Sequence, residues 1–489
     1  MIQTLLSALT VVVLLFCSAD LQGKVTRPNI VFILIDDMGW PDLGCYGHAF
    51  HETPRIDQLA QQGVRFTDFY ATPVCSSTRA TIESGQNSAR VGITDFLPGH
   101  WKPFAKLVVP AMPDHLDHQL TTPGEVLGRS GYNTAYFGKW HLGRGPEHGP
   151  SAHGYETTAG NLGAEFEQLR KGRKGGPKGM VRLTDQANWF LGKQVRSERP
   201  FFLHLSHKAV HIPIQAKKET VAKYEKKEKP NEGVNHPVYA AMIEDLDVQI
   251  GRLLDELDRL KLTDNTVVIL TSDNGGLRQV YTGRGQVVST NAPLRSEKGT
   301  LYEGGIRVPM IVRWPGVTPP GTACNQLAAT WDMLPTFCAI AGVDPPRQTI
   351  DGHELTGLFR QQNSSPDRRA LYFHYPHYHH SRPASAIRSG DYKLIEWLED
   401  DSVELFDLAS DIGETNNLAS TEPEKVSQLR DQLSAWRTQV GARMPTKNPD
   451  YNEEKADVWY NRNNMQPIDS AAIDHQLESQ ATKPYLRKN

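Results

Sequence analysis

The chain has 489 residues, of which 38% are hydrophobic and 8% aromatic. That composition builds packed cores and excludes a disordered chain, and the length accommodates one large domain plus a smaller one. A formal net charge of −3 offers no basic footprint for a nucleic-acid partner.

The chain opens on "MIQTLLSALTVVVLLFCSADLQG", an apolar run from Leu5 to Cys17 followed by the small residues Ser18 and Ala19. The run is short for a membrane span. Residues 1–23 therefore read as a signal peptide, although no Lys or Arg precedes the run; the alternative is an uncleaved anchor. The expectation is an exported protein (periplasmic, secreted or lysosome-like) with no stable membrane insertion after cleavage. Four cysteines then remain, Cys45, Cys75, Cys324 and Cys338, too few for a disulfide scaffold. Pairing of Cys324 with Cys338 stays open. Cys75, in "TPVCSSTRATIESG", needs its own explanation.

Strand-like runs follow, and polar residues cluster where each run stops. Ile30–Ile35 leads to Asp36 and Asp37. A short run ending at Phe137 presents Lys139 and His141, and Phe201–Leu205 presents His207 and His211. Val267–Leu270 presents Asp273 and Asn274. Unbroken apolar strands imply burial on both faces. Between the last two, Ile243, Leu246, Ile250, Leu253, Leu257 and Leu260 repeat at helical spacing. The order predicts an α/β domain over 24–360, a doubly wound mixed sheet flanked by helices. Ligands of such sheets bind beyond the carboxyl ends of the strands, where these polar residues gather.

From about residue 361 the pattern changes. "RSGDYKLIEW" and "SVELFDLASD" predict antiparallel strands. A helix over about 422–441 carries Val426, Leu429, Leu433, Trp436 and Val440 on one face. Residues 361–445 thus form a small α+β subdomain. The segment 446–489 is polar and without period, an arm along the surface or a partly disordered tail. The basic stretches 170–179 and 217–230 read as solvated loops or helix faces, with a rim for an anionic polymer as the alternative.

Asp36, Asp37, Asp273 and Asn274 make an all-oxygen set, which suits Ca²⁺ or Mg²⁺. One acidic pair after a strand would more simply cap a helix; two pairs at two strand ends point to a metal. Lys139, His141, His211, Lys298 and Arg79 would surround a multiply charged anion, and histidine moves protons near neutral pH. The expected substrate is a sulfate or phosphate ester.

Here the chain resembles the type I sulfatases of the alkaline-phosphatase superfamily, close to the arylsulfatase A-like enzymes. "CSSTRATIESG" resembles their Cys-x-Pro-x-Arg signature and "GYNTAYFGKWHLG" their second signature; "NIVFILIDDMGW", "SDNGG" and "EKGTLYEGGIRVP" fit too. The resemblance runs from about residue 28 to 420. It implies that a maturation enzyme converts Cys75 to formylglycine (3-oxoalanine). One hydroxyl of the aldehyde hydrate attacks sulfur, and the other expels sulfate by collapse to the aldehyde. It further implies that Asp36, Asp37, Asp273 and Asn274, with an oxygen of residue 75, bind Ca²⁺. Arg79 would hold the hydrate, Lys139 and Lys298 the sulfate oxygens. His141 would take the proton for aldehyde recovery, and His211 would protonate the leaving alcohol.

Ser77 stands where the family usually has Pro, so a maturation system that demands Pro would leave a thiol. On the substrate side, "LYFHYPHYHHSRP" gathers His374, His377, Tyr378, His379, His380 and Arg382. Resemblance places this loop over the active-site mouth, with His374, His377, Arg382 and Asp95 touching sugar and the Trp101 region beside them. An ordinary surface loop or an adventitious metal site are the alternatives. Asn363-Ser364-Ser365 is a glycosylation sequon. The expected substrate is a sulfated carbohydrate, with a galactose or N-acetylgalactosamine sulfate favoured. The rivals are a phosphate or phosphonate monoester hydrolase on the same scaffold and a catalytically silent carbohydrate-binding relative.

Overall fold

The computed structural model describes residues 27–99, 101–172, 174–279, 285–361, 370–462, 464–469 and 472. The expected signal peptide, the sequon and the end of the tail lie outside these residues.

The large domain is built on a nine-stranded mixed sheet. Its central strand, β1 (Asn29–Ile35), pairs in parallel with the strands Phe201–Ser206 and Thr266–Ser272. The strand Asn133–Gly138 extends the parallel array beyond Phe201–Ser206. On the other side, Arg307–Arg313 runs antiparallel to Thr266–Ser272 and to Val64–Tyr70. The run of apolar residues in β1 alternates between two cores. Val31, Ile33 and Ile35 pack into one, with the long helix Pro237–Arg259. Ile30, Phe32 and Leu34 pack into the other, with the helices Cys75–Ser84 and Met333–Ala341. Burial on both faces is what the continuous apolar pattern demands.

The second unit is a four-stranded antiparallel sheet of Ala370–Tyr375, Ala384–Ser389, Tyr392–Trp397 and Val403–Asp407. The helix Pro423–Val440 covers one face through Leu429 and Leu433 against Ile387, Leu394 and Leu405. The other face packs on the large domain, with Phe373, Ala386 and Ile395 against Tyr70, Val74 and Trp331. A buried ion cluster pins this junction. Lys393 Nζ donates to Glu303 Oε1 at 2.9 Å and lies 2.8 Å from Glu414 Oε1, all three side chains being fully buried.

The polar tail folds back on the large domain. Thr446–Lys447 pairs antiparallel with Leu107–Val108. Further on, Asn452 N donates to Phe104 O and Tyr460 N to Trp101 O, each at 3.1 Å. Backbone pairing replaces the apolar period that this segment lacks. Cys45, Cys75, Cys324 and Cys338 are all free thiols.

Candidate active site

The carboxyl edge of the parallel strands carries the chemistry. β1 ends at Ile35, and Asp36 and Asp37 follow, Asp37 turning through the left-handed region at φ 64°. Asp273 N donates to Ile35 O at 3.0 Å, so the two acidic strand ends are stitched side by side. The strand Asn133–Gly138 stops at a glycine with φ 110°, whose missing Cβ would sit 1.8 Å from Ser206 O. Only glycine permits that approach, and it delivers Lys139, whose N–H donates to the same carbonyl at 3.0 Å. His141 also takes a left-handed conformation, φ 61°. Cys75 opens the helix Cys75–Ser84 and Arg79 lies four residues on, on the same face.

These residues meet in one buried knot. Asp36 binds Lys139 Nζ at 2.8 and 2.9 Å. Asp37 Oδ1 accepts from Lys298 Nζ at 2.6 Å and from Asn274 Nδ2 at 2.8 Å, and His211 Nε2 lies 3.7 Å from Asp37 Oδ2. Arg79 donates to Asp273 Oδ2 from Nη2 at 2.6 Å and from Nε at 3.1 Å. Cys75 Sγ is 3.2 Å from His141 Nδ1, and His141 Nε2 is 2.8 Å from Leu97 O.

Charge is tightly balanced here. Burial raises the Cys75 thiol, but Lys139, His141 and Lys298 outweigh it and hold the thiol well below its ordinary value. Burial likewise opposes ionisation of Asp36, yet Lys139, His211 and Arg79 pull it down. Asp273 goes the other way: burial and the Asp36 carboxylate push it up to about 8. The cations hold Asp36 and Asp37 low, while Asp273 remains raised beside the Asp36 carboxylate. The oxygens are also underused. Asp37 Oδ2 and Asn274 Oδ1 are buried with no hydrogen-bond partner. Orphaned buried oxygens beside a raised carboxylate fit a hard, oxygen-loving cation. Asp36, Cys75 and Asp273 offer ligand atoms within 4.8 Å of one another, as do Asp36, Asp37 and His211.

The residues assigned to sugar binding are placed differently. His374 is buried, with Nδ1 2.8 Å from Ser385 Oγ and Nε2 3.0 Å from Arg443 O. His377 is buried against Thr94 Oγ1 at 2.8 Å, and Asp95 accepts from Tyr375 Oη at 2.8 Å with no exposed surface. Their rings and carboxylate bond to other parts of the protein wall. Arg382 sits at the rim of the small sheet, over Trp397 and 2.6 Å from Asp400. His380 does reach the site, its Nδ1 2.9 Å from Lys298 O. His207 is buried with both ring nitrogens unpartnered and stays outside the charged knot.

Beside His141 opens a cavity of about 1070 Å³, lined among others by Phe96, Trp101, Lys102, Arg144, Trp459 and Arg462. Lys102 Nζ lies 4.7 Å from the Trp459 ring, and Arg462 stacks 5.9 Å from Trp101. Sequence reasoning missed the tail residues, because an aperiodic polar segment carries no signal of where it docks. It also missed Ser206, whose Oγ accepts from Arg79 Nη1 at 2.5 Å, and Lys178. Lys178 sits in a stretch that reads as solvated, yet burial lowers its pKa to about 8, against the pull of Asp36 and Asp37.

Known proteins resemble this chain over most of its length. The Sulfatase family pattern matches residues 28–343, and the pattern for the N-sulphoglucosamine sulphohydrolase C-terminal region matches 296–439. Arylsulfatase A of Homo sapiens is 33% identical over 477 residues, covering 85% of this chain and 88% of its own. N-acetylgalactosamine-6-sulfatase of Canis lupus familiaris is 30% identical, covering 78% and 74%. The crystal structure of Ps i-CgsB superposes with a TM-score of 0.70 at 24% identity, over 93% of this chain and 98% of that one.

Proposed function

The chain belongs to the sulfatase family as a type I sulfatase of the alkaline-phosphatase superfamily, and from that premise we propose how this sulfuric ester hydrolase works and on what. Cys75 is matured to formylglycine by a dedicated enzyme, a calcium ion is held by Asp36, Asp37, Asp273 and Asn274, and the substrate is a sulfated carbohydrate. The observation that carries this is Cys75 at the start of a buried helix, 3.2 Å from His141 and within the field of Lys139 and Lys298. A helix N-terminus and two lysines favour an anion at that point. When bound, the cation adds positive charge where the sulfate oxygens gather.

The chain's own residues then divide the work. Lys139 and Lys298 neutralise sulfate oxygens while their aspartates hold them in place. Arg79, anchored by Asp273 and Ser206, fixes the side chain of residue 75, whose Sγ marks the place of the formylglycine oxygens. His141, oriented by Leu97 O, accepts a proton from residue 75. Burial lowers the pKa of His211 despite the pull of Asp37, so its protonated form readily donates to the departing alcohol.

The aromatic and basic lining of the cavity supports a sugar substrate, since rings stack on sugar faces and cations meet further sulfates. The N-acetylgalactosamine-6-sulfatase relative supports a galactose or N-acetylgalactosamine sulfate. The apolar leader at residues 1–23 supports export, and no helix among the described residues is long and apolar enough to cross a membrane.

Mass spectrometry of the tryptic peptide carrying residue 75, from protein made in its own host, tests the reading. The peptide is expected about 18 Da lighter than the cysteine form. An alkylatable thiol that Ser77→Pro does not convert to the aldehyde would overturn it.

A further inference from the structure

A second group of chemically capable side chains lies on the outer wall of the cavity, away from the carboxylates. His115, His118 and His148 each place a ligand-capable atom within 4.8 Å of the others. His118 Nε2 is 3.1 Å from His148 Nδ1. Two imidazole nitrogens on one tetrahedral zinc, each about 2.0–2.1 Å from it, stand roughly 3.3 Å apart. The pair is therefore already at ligand spacing. His115 stacks on His148 with centroids 3.8 Å apart.

The surroundings are arranged to hold these rings. Asp114 Oδ1 lies 2.7 Å from His115 Nδ1, which directs the other ring nitrogen outward. A carboxylate behind an imidazole is the usual support of a metal-ligating histidine. Trp140 Nε1 donates to His148 O at 2.7 Å and anchors that turn. Gly143, at φ 133°, lies between the two strands of chain. A Cβ there would come 2.6 Å from His148 Cβ and 2.8 Å from His115 Cβ, so only glycine lets the two histidines close together. Behind them, His153 stacks on His118 at 4.7 Å and 2°. Burial, then the charges of His118, His148 and His115, lower His153 to about 4.

We propose that His115, His118 and His148 bind a borderline divalent transition ion, zinc being the type, at a site separate from the carboxylate set. All-nitrogen donors select such an ion over calcium. The ion clips the segment 114–118 to the turn 145–153, both of which border the cavity, and so stiffens the substrate entrance.

The test uses the full-length enzyme, stripped of metal and resupplied with saturating Ca²⁺. It is titrated with Zn²⁺ by calorimetry and counted for metal after gel filtration. One zinc per chain is expected beyond the calcium. His118→Ala should abolish the site; His118 is exposed, so folding is safe, and a thermal melt checks it. Asp114→Asn should weaken binding by about 10–100-fold, the usual cost of losing a supporting carboxylate. Co²⁺ in place of Zn²⁺ should give the visible absorption of a tetrahedral nitrogen-bound ion, absent in His118→Ala. Zinc stoichiometry and affinity unchanged in His118→Ala would overturn the proposal. So would zinc that binds only when calcium is withheld, because it would then occupy the carboxylates.

Discussion

In the proposed mechanism residue 75 carries the reaction, and its surroundings are the reason to propose that its chemistry changes after translation. A buried thiol held low by Lys139, His141 and Lys298 is a capable nucleophile, but sulfate on sulfur or on a single oxygen has no internal exit. Cys75→Ser tests this directly. The variant is expected to release at most one equivalent of alcohol per chain and then stop, with the sulfate retained on residue 75. Steady turnover at more than a few per cent of the mature enzyme would contradict a two-oxygen nucleophile. Ser77 bears on maturation. Its Oγ donates to Val74 O at 2.8 Å and lies 2.5 Å from Thr72 Oγ1, so the serine also braces the loop before the helix. Proline is compatible with a first helical turn, where the N–H has no partner within the helix. Ser77→Pro should therefore fold, at a cost of about 1 kcal/mol per lost hydrogen bond. It should raise the aldehyde yield in a host that prefers proline, read as the aldehyde-to-thiol ratio.

At the scale of elements, the junction between the two sheets is held by charge as well as by apolar packing. Lys393 lies between Glu303 and Glu414 with none of the three exposed. Tyr70 Oη donates to Glu303 at 2.8 Å and Arg307 lies 3.3 Å away. Burial raises Glu414 most, and Glu303 adds to the rise against the pull of Lys393. Removing the lysine would strand the buried Glu414 carboxylate, while Glu303 keeps Arg307 and Tyr70. Lys393→Met, close in volume, should destabilise the folded chain by about 3–5 kcal/mol. Denaturant unfolding followed by Trp397 fluorescence would measure it. A loss under about 1 kcal/mol would mean that water already reaches the cluster. The double change Lys393→Met with Glu414→Gln should recover part of the loss, since it removes the stranded charge.

In the molecule as a whole, the C-terminal arm turns an open strand edge into a cavity. Asn448, Trp459 and Arg462 approach from one side, Trp101 and Lys102 from the other. The charged knot and the remote walls are thus supplied by distant parts of the chain. Deleting residues 446–489 should cut kcat/KM on a sulfated oligosaccharide by about tenfold or more, mainly through KM. A small aryl sulfate, which needs only the buried knot, should lose less than about threefold. Trp459→Ala provides the milder check, with a loss of about 0.5–1.5 kcal/mol of sugar stacking. Equal losses on both substrates would show that the arm supports the fold rather than the substrate.

The charged knot was legible along the chain because each strand announces itself. Six apolar residues before Asp36 and Asp37, and four before the stretch that holds Asp273 and Asn274, locate the carboxyl edge of the sheet. Strand chemistry is local, and the doubly wound topology places such ends together by rule. Cys75, Arg79, Lys139 and His141 came from short signatures whose spacing is itself the information. The lining of the cavity was not legible. His374, His377 and Asp95 share a sequence neighbourhood with the site, yet packing turns them inward as supports. Lys178 lies in a lysine-rich stretch and Trp459 in an aperiodic tail, and each reaches its place only through contacts with residues far away in the chain. Alternating burial and motif spacing are properties of neighbours in sequence, so the chain itself determines the sheet and the charged residues gathered at its edge. Which side of a wall a side chain faces depends on long-range packing, and only the tertiary structure decides it.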